Sequence, residues 1–394
     1  MPHGRSLAGL VVLAMVAGWR DAGAIPAFAR RYKVSCSLCH HPIPKLTAFG
    51  EAFGGNGFRF AANEAPRDTI DTGDPLLSLI KDFPLAMRFD AYAQAYSKGR
   101  AATDFQTPYA IKILSGGPIS KKLSYYFYTY LLERGEIAGV EDALIQVNDI
   151  GNQPFDLVVG QFQASDPMFK RETRLTFEDY AIYRARLGEV PVNLTYERGI
   201  AASADVLGFT VTGQVLNGNG IGEAESNRRF DNDPAKNFFL HLTRDLGSQI
   251  RIGAFGYTGR SESEGVKNRT RMVGVDWTVG GGTVEFNGQY LHRSDNRPFY
   301  ALGEPAGSLD GGFGELIVRP KNSRWFGFGL YNLIRANGPI LDVRLGTPGN
   351  LRRYESISAG VGWLERRNFR WSAEVTYDPT QESLRWTLGL VTAF

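Results

Sequence analysis

Residues 383–394 read SLRWTLGLVTAF. Leu384, Trp386, Leu388, Leu390 and Phe394 fall on one face, and Arg385, Thr387 and Gly389 on the other. Alternation with period two marks a half-buried β-strand, because successive side chains point to opposite faces. A last strand that alternates and ends on Phe has the form that outer-membrane barrels use as an assembly signal. A soluble edge strand alternates in the same way, so the pattern decides the fold only if it recurs along the chain.

It recurs from Pro84 onward. Leu85, Met87, Phe89 and Ala91 alternate with Arg88, Asp90 and Tyr92; Val273, Val275, Trp277 and Val279 alternate with Met272, Gly274, Asp276 and Thr278; residues 369–377 repeat the theme. Sixteen candidate strands follow: 84–97, 107–115, 122–133, 140–149, 154–163, 188–197, 206–217, 236–245, 249–259, 268–279, 283–293, 311–319, 324–335, 352–364, 368–378 and 383–394. The number is even, as a barrel with both ends in the periplasm requires. Short turns (115–120, 150–154, 245–248, 320–323, 366–368) then fall on the periplasmic side, and the long connections 217–235 and 295–310 fall outside. Leu175 to Arg186 alternates loosely, but a seventeenth strand would break this parity. Residues 164–187 therefore read as one loop folded into the lumen, carrying Asp166, Lys170, Arg171, Glu172, Arg174, Glu178 and Asp179. An ordinary solvated surface loop is the alternative.

The N-terminus reads as a signal peptide over residues 1–24. Arg5 supplies the positive start, Leu7 to Trp19 the short apolar run, and Ala22-Gly23-Ala24 the cleavage site. A membrane anchor is the other reading of this stretch. No later apolar run is long enough for a transmembrane helix, so a membrane position requires a closed barrel. A net charge of +3 over 394 residues gives no electrostatic case for nucleic acid.

One motif carries chemistry. Cys36-Ser37-Leu38-Cys39-His40 is CxxCH, the attachment signal for a c-type haem. Two thiols three residues apart share one side of a helical turn and can bond the two vinyl groups of one porphyrin. His40 then offers the proximal ligand to the iron. A redox disulfide or half of a zinc site are the rival readings. However, the chain's two cysteines are both in the motif, no second pair exists to complete a zinc site, and no thioredoxin-like βαβ pattern surrounds it. The haem segment spans 25–60. Pro42 and Pro44 predict an extended chain after the motif, and Leu46, Phe49, Phe53 and Phe58 either cover a porphyrin or pack a tiny core. Residues 61–83 read as a linker with at most a short helix near 76–80, and 84–394 as the barrel. The expected fold is all-β: a transmembrane antiparallel barrel of sixteen strands whose haem segment plugs the lumen. For the iron's other face the candidates are Met168 in the lumen loop, then His241 and Met272, both inward by alternation. Each is equally read as packing or polar lining.

Residues 24–58, AIPAFARRYKVSCSLCHHPIPKLTAFGEAFGGNGF, and 165–180, SDPMFKRETRLTFEDY, resemble the fused monohaem cytochrome–porins of the Cyc2 type from iron-oxidising bacteria. The resemblance implies an outer-membrane protein with one haem c, covalently held by Cys36 and Cys39 and ligated by His40. It implies single electrons taken from extracellular Fe(II) and passed to a periplasmic c-type cytochrome, which would make the chain an electron-transfer oxidoreductase. Outward electron flow to an extracellular acceptor, and a diffusion porin with a structural haem plug, remain as alternatives.

Overall fold

The computed structural model describes residues 27–61, 64–67, 69–81, 83–99, 102–231, 233–343 and 349–394. The signal-peptide reading at 1–24 and the first two residues of the haem segment lie outside them.

Sixteen strands form the barrel: β1 (Leu85–Tyr96), β2 (Thr103–Pro118), β3 (Leu123–Glu133), β4 (Gly139–Val147), β5 (Phe155–Gln163), β6 (Tyr196–Val206), β7 (Phe209–Leu216), β8 (Asn237–Asp245), β9 (Ile250–Ser263), β10 (Val266–Gly281), β11 (Val284–Asp295), β12 (Gly307–Val318), β13 (Trp325–Ala336), β14 (Arg353–Arg366), β15 (Phe369–Asp378) and β16 (Ser383–Ala393). Every strand pairs antiparallel with its neighbours in sequence, and β16 closes on β1 from Arg385↔Tyr96 to Ala393↔Arg88. Both barrel ends share one rim with the connections 119–122, 148–154, 207–208, 246–249, 282–283, 319–324 and 367–368, while the tight 264–265 turn joins the long loops at the other. The rim that holds both ends is the periplasmic one.

The pleat separates two surfaces. On β10, Asn268, Thr270, Met272 and Asp276 are buried inside, whereas Val273, Val275 and Val279 are exposed outside. Leu240 and Leu242 on β8 and Leu388 on β16 continue the exposed apolar belt. An apolar exterior around a polar interior, with no free sheet edge, is stable in hydrocarbon rather than in water. The barrel is of the bacterial outer-membrane type.

The lumen is filled. Residues 164–195 leave β5 at the outer end and fold inward, as the sequence predicts, but the excursion is longer than the expected 164–187. The sixth strand is accordingly Tyr196–Val206, not 188–197. Val190, Val192 and Leu194 alternate like a strand, yet they are buried in an apolar cluster that the loop shares with inward wall residues such as Phe255, Leu291 and Leu309, and Pro191 has no N–H to give a ladder. The true strand is rich in Ala and Ser and hard to recognise by hydrophobicity. Inside the lumen, Leu187 and Arg186 pair with Leu341 and Asp342 of the β13–β14 loop.

Near 76–80, where at most a short helix is expected, Leu79 and Ile80 pair with Ile70 and Thr69 in a two-residue ladder. One further expectation fails: after the motif the chain does not extend. Residues 40–46 double back, closed by the His41 N–H to the Lys45 carbonyl at 2.9 Å and by the His40/Leu46 bridge.

Candidate functional site

Residues 27–60 form a cap of three short helices: α1 (Ala27–Tyr32), α2 (Cys36–Cys39) and α3 (Ala48–Gly55). The hydroxyl of Ser35 accepts from the Ser37 N–H and starts α2. Thr47 caps α3 by accepting from the Gly50 N–H at 3.1 Å, and its hydroxyl donates to the Leu38 carbonyl at 2.8 Å. A Cβ built on Gly50 would lie 2.3 Å from the Cys39 carbonyl oxygen. Only glycine lets α3 come so close to the CxxC turn.

His40 is fixed by its ring. Nδ1 lies 2.9 Å from the Pro44 carbonyl oxygen. A carbonyl only accepts, so Nδ1 carries the proton and Nε2 holds the lone pair. Burial lowers the His40 pKa, and the Pro44 bond opposes this without reversing it. The imidazole is therefore neutral at pH 7, with one nitrogen oriented by its neighbour as a metal ligand requires. Cys36 and Cys39 are half-buried free thiols on one turn. Leu38 and Phe49 beside them each leave 38% of their surface exposed. Phe53 is buried among Phe28, Tyr32 and Phe58, with Phe28 stacked on Phe58 at 4.7 Å. Some of the predicted apolar residues thus build a small core, and the others leave an open apolar face next to the thiols. Two thiols on one side, a tautomer-fixed imidazole and an apolar face fit a covalently attached porphyrin.

The cap sits in the periplasmic mouth, whereas the sequence reading put the whole segment inside the lumen. Arg30 donates to the Leu85 carbonyl at the start of β1, Arg59 to the Ser120 carbonyl at 3.0 Å, and Asn148 to the Gly55 carbonyl at 3.0 Å. Glu51 pairs with Arg251 at 2.9 Å. Only the tip, Ile43 to Lys45, reaches deeper. Ile43 packs with Leu175 of the lumen loop and with Ile317, Phe326, Phe328 and Leu364. Lys45, buried, lies 3.4 Å from Glu285 and 3.5 Å from Glu315, while Arg319 donates to the His41 carbonyl at 2.9 Å. The reason is polar: these rim strands bring carboxylates and carbonyls that match the cap's own cations. Pro44, Lys45 and Gly50 carried no sequence signal, since their roles arise from contacts with distant strands or with a neighbouring turn.

The candidate distal ligands lie in the barrel body. Met168 packs against the main apolar cluster of the lumen loop, and Met272 is buried within it. His241 points inward as expected, and its Nε2 is 2.8 Å from Asp276. It stands four residues along β8 from Asp245, the register partner of the Arg251 that holds the cap, or roughly 13 Å.

Ion pairs seat the lumen loop. Glu172 accepts from Lys112 Nζ at 3.0 Å and from the hydroxyls of Tyr128 and Tyr130 at 3.0 and 3.2 Å. Asp179 gathers Arg171, Arg184 and Arg174. Burial alone would raise both carboxyl pKa values, but the facing cations hold them below the ordinary range. Glu178 accepts from Tyr354 at 2.8 Å and Arg385 at 2.7 Å. Tyr180 donates to Glu315 at 2.9 Å, so one carboxylate joins the loop to the cap's Lys45. The inner wall is consequently covered: Asn287, Gln289, Arg293, Glu315 and Asn332 are each at most 2% exposed.

Fold and interior together define a porin-like outer-membrane β-barrel with a filled lumen and a cysteine-bearing cap. Solved porins share the barrel: an anion-selective porin from Comamonas acidovorans (TM-score 0.57, 8% identity, covering 79% of this chain and 99% of that one), the channel DcaP of Acinetobacter baumannii (0.56, 10%, 79% and 97%), and a loop L8 deletion mutant of OmpT of Vibrio cholerae (0.55, 11%, 79% and 99%). No protein-family model and no curated protein matches the chain.

Proposed function

We propose that this chain is a monohaem cytochrome–porin of the Cyc2 type: an outer-membrane electron carrier that takes single electrons from extracellular Fe(II) and delivers them to a periplasmic c-type cytochrome. The observation that carries the reading is the pairing of a filled lumen with a cap whose His40 presents Nε2 beside two thiols on one turn. Bound haem c would supply one-electron redox chemistry, which matches the Fe(II)/Fe(III) couple and not hydride transfer. Cys36 and Cys39 would hold it covalently and His40 would ligate it. Pro44 orients that imidazole, and Gly50 keeps α3 against the attachment turn. Lys45, Glu285 and Glu315 anchor the cap over the lumen, and the lumen loop excludes water from the interior. Tyr180 stacked on Phe313 at 4.2 Å and Tyr92 against Phe177 at 4.8 Å pack that interior with rings rather than with solvent.

A diffusion porin draws support from the fold alone, and the buried inner wall counts against it. The test is stopped-flow mixing of the purified, matured protein with Fe(II), read at the haem absorption bands. Reduction is expected, together with background-level conductance in planar bilayers. Failure to reduce across a range of pH would remove the iron assignment. Porin-like conductance unaffected by Cys36→Ala would favour the diffusion reading.

A further inference from the structure

We propose that the cap and the two rim turns beside it form a basic docking face for an acidic soluble electron-carrier protein. This rests on the proposed function and adds the surface and the partner's charge. The β12–β13 turn carries Arg319, Lys321 and Arg324, and the β14–β15 turn carries Arg366 and Arg367, against the single carboxylate Glu365. The turns are neighbours: Trp325 pairs with Trp363, and the Leu364 N–H donates to the Arg324 carbonyl at 2.9 Å. Lys321, Arg324, Arg366 and Arg367 are exposed. Arg319 is turned inward, bonded to Glu285 and to the His41 carbonyl, which ties the turn directly to the cap. On the cap itself, Lys33 is exposed three residues before Cys36.

The arrangement is local. The whole chain carries only +3, so this concentration is not a general basicity of the surface. The turns meet the cap at His41, directly after the half-exposed thiol turn and Leu38, the edge from which an electron would leave. Charges surrounding an apolar contact steer an oppositely charged partner and raise its association rate about 10- to 1,000-fold at low salt. Anionic lipid headgroups could be offered the same charges by the lipid-facing turns. Lys33 argues for a protein, because the cap covers the lumen and not the lipid-facing wall. In the transfer, one electron leaves this protein, which is oxidised, and enters the acidic carrier, which is reduced.

The test uses the full matured chain in nanodiscs of neutral phosphatidylcholine. Two soluble monohaem cytochromes serve as probes, one of net negative and one of net positive charge, with binding followed by biolayer interferometry. The negative probe is expected to associate at least about tenfold faster than the positive one, with the advantage lost at high salt. The quadruple variant Lys321→Glu/Arg324→Glu/Arg366→Glu/Arg367→Glu should reverse the preference. Lys33→Glu, confined to the cap, should weaken it without touching the barrel. Heat-shifted migration on gels checks that the variants fold. Equal rates for the two probes, or a preference that survives charge reversal, overturns the proposal. If the variant instead abolishes a thermal stabilisation of the wild type by phosphatidylglycerol, the cations belong to headgroups and the docking face is refuted. Binding does not require haem, so a chain that matures without it would sink the proposed function and still leave this face testable.

Discussion

Glu172→Gln isolates one charge at the centre of the lumen. The amide keeps the shape of the side chain and can still accept from Tyr128 and Tyr130. What it loses is the ion pair with Lys112, a residue only 4% exposed. A hydrogen bond to a charged group contributes about 1.5–3 kcal/mol, and stranding a buried charge costs about 3–5 kcal/mol. Lys112 is not left wholly alone, because Asp90 lies at 3.9 Å, although that carboxylate is already engaged by both arms of Arg88. The lower end therefore applies, about 3 kcal/mol, or roughly a hundredfold in the local opening equilibrium. The Asp179 cluster and the Tyr180–Glu315 bond should keep the rest of the loop seated. The effect should be local fraying near 168–176, not expulsion. Hydrogen–deuterium exchange in detergent should show peptides over these residues exchanging roughly a hundredfold faster, with barrel strands unchanged. Removing both charges in Lys112→Met/Glu172→Gln should cost less than Glu172→Gln alone, since no buried ammonium is then orphaned. Unchanged exchange in the single variant, or a double variant worse than the single, would refute the assignment of Glu172 as the loop's electrostatic anchor.

Other expectations follow from the same geometry. Cys36→Ala should lose covalent haem by mass and by pyridine haemochrome, while the barrel keeps its heat-modifiable migration; retained haem on a single thioether would show Cys39 to suffice. Gly50→Ala should push α3 off the Cys39 carbonyl at a cost of about 1–3 kcal/mol, seen as faster proteolysis within the cap and an intact barrel; unaltered proteolysis would contradict the close approach. The carboxyls of Glu172 and Asp179 have folded pKa values below their unfolded ones. Their stabilisation is thus complete above the ordinary carboxylate range and is lost as pH falls through the lower folded values. The share of lumen-loop amide protection that these two carboxyls supply, read as the difference between wild type and Glu172→Gln, should be level from pH 8 to about 5 and decline below about pH 4; a decline of that difference already at pH 6 would point to another titrating group.

Much of the barrel was legible because each strand records its two environments in its own alternation, and because parity links local patterns into a closed count. Short turns at Pro320 to Ser323 and Arg366 to Asn368 could be placed on the periplasmic side from strand parity; length alone would have misplaced the tight 264–265 turn at the outer rim. The sixth strand was not legible. Val190, Val192 and Leu194 mimic a lipid-facing stripe while lying inside the lumen, and the true strand, YERGIAASADV, presents small residues of weak preference. The CxxCH spacing picked out the turn on which the two thiols sit together, and the inward direction of His241 followed from strand alternation. The seat of the cap did not. It depends on Arg251 of β9, Glu285 of β11, Glu315 of β12 and Arg319 of the turn after it, which converge on residues 41–51 only in three dimensions.

That convergence has a bearing on biogenesis. The cap's contacts draw on β1, the β4–β5 turn, β9, β11 and β12, segments from both halves of the chain that share a rim only once the cylinder has closed. The full set of contacts that seats the N-terminal helices therefore exists only on a finished wall, and an incompletely zipped barrel offers the cysteine turn part of its seat.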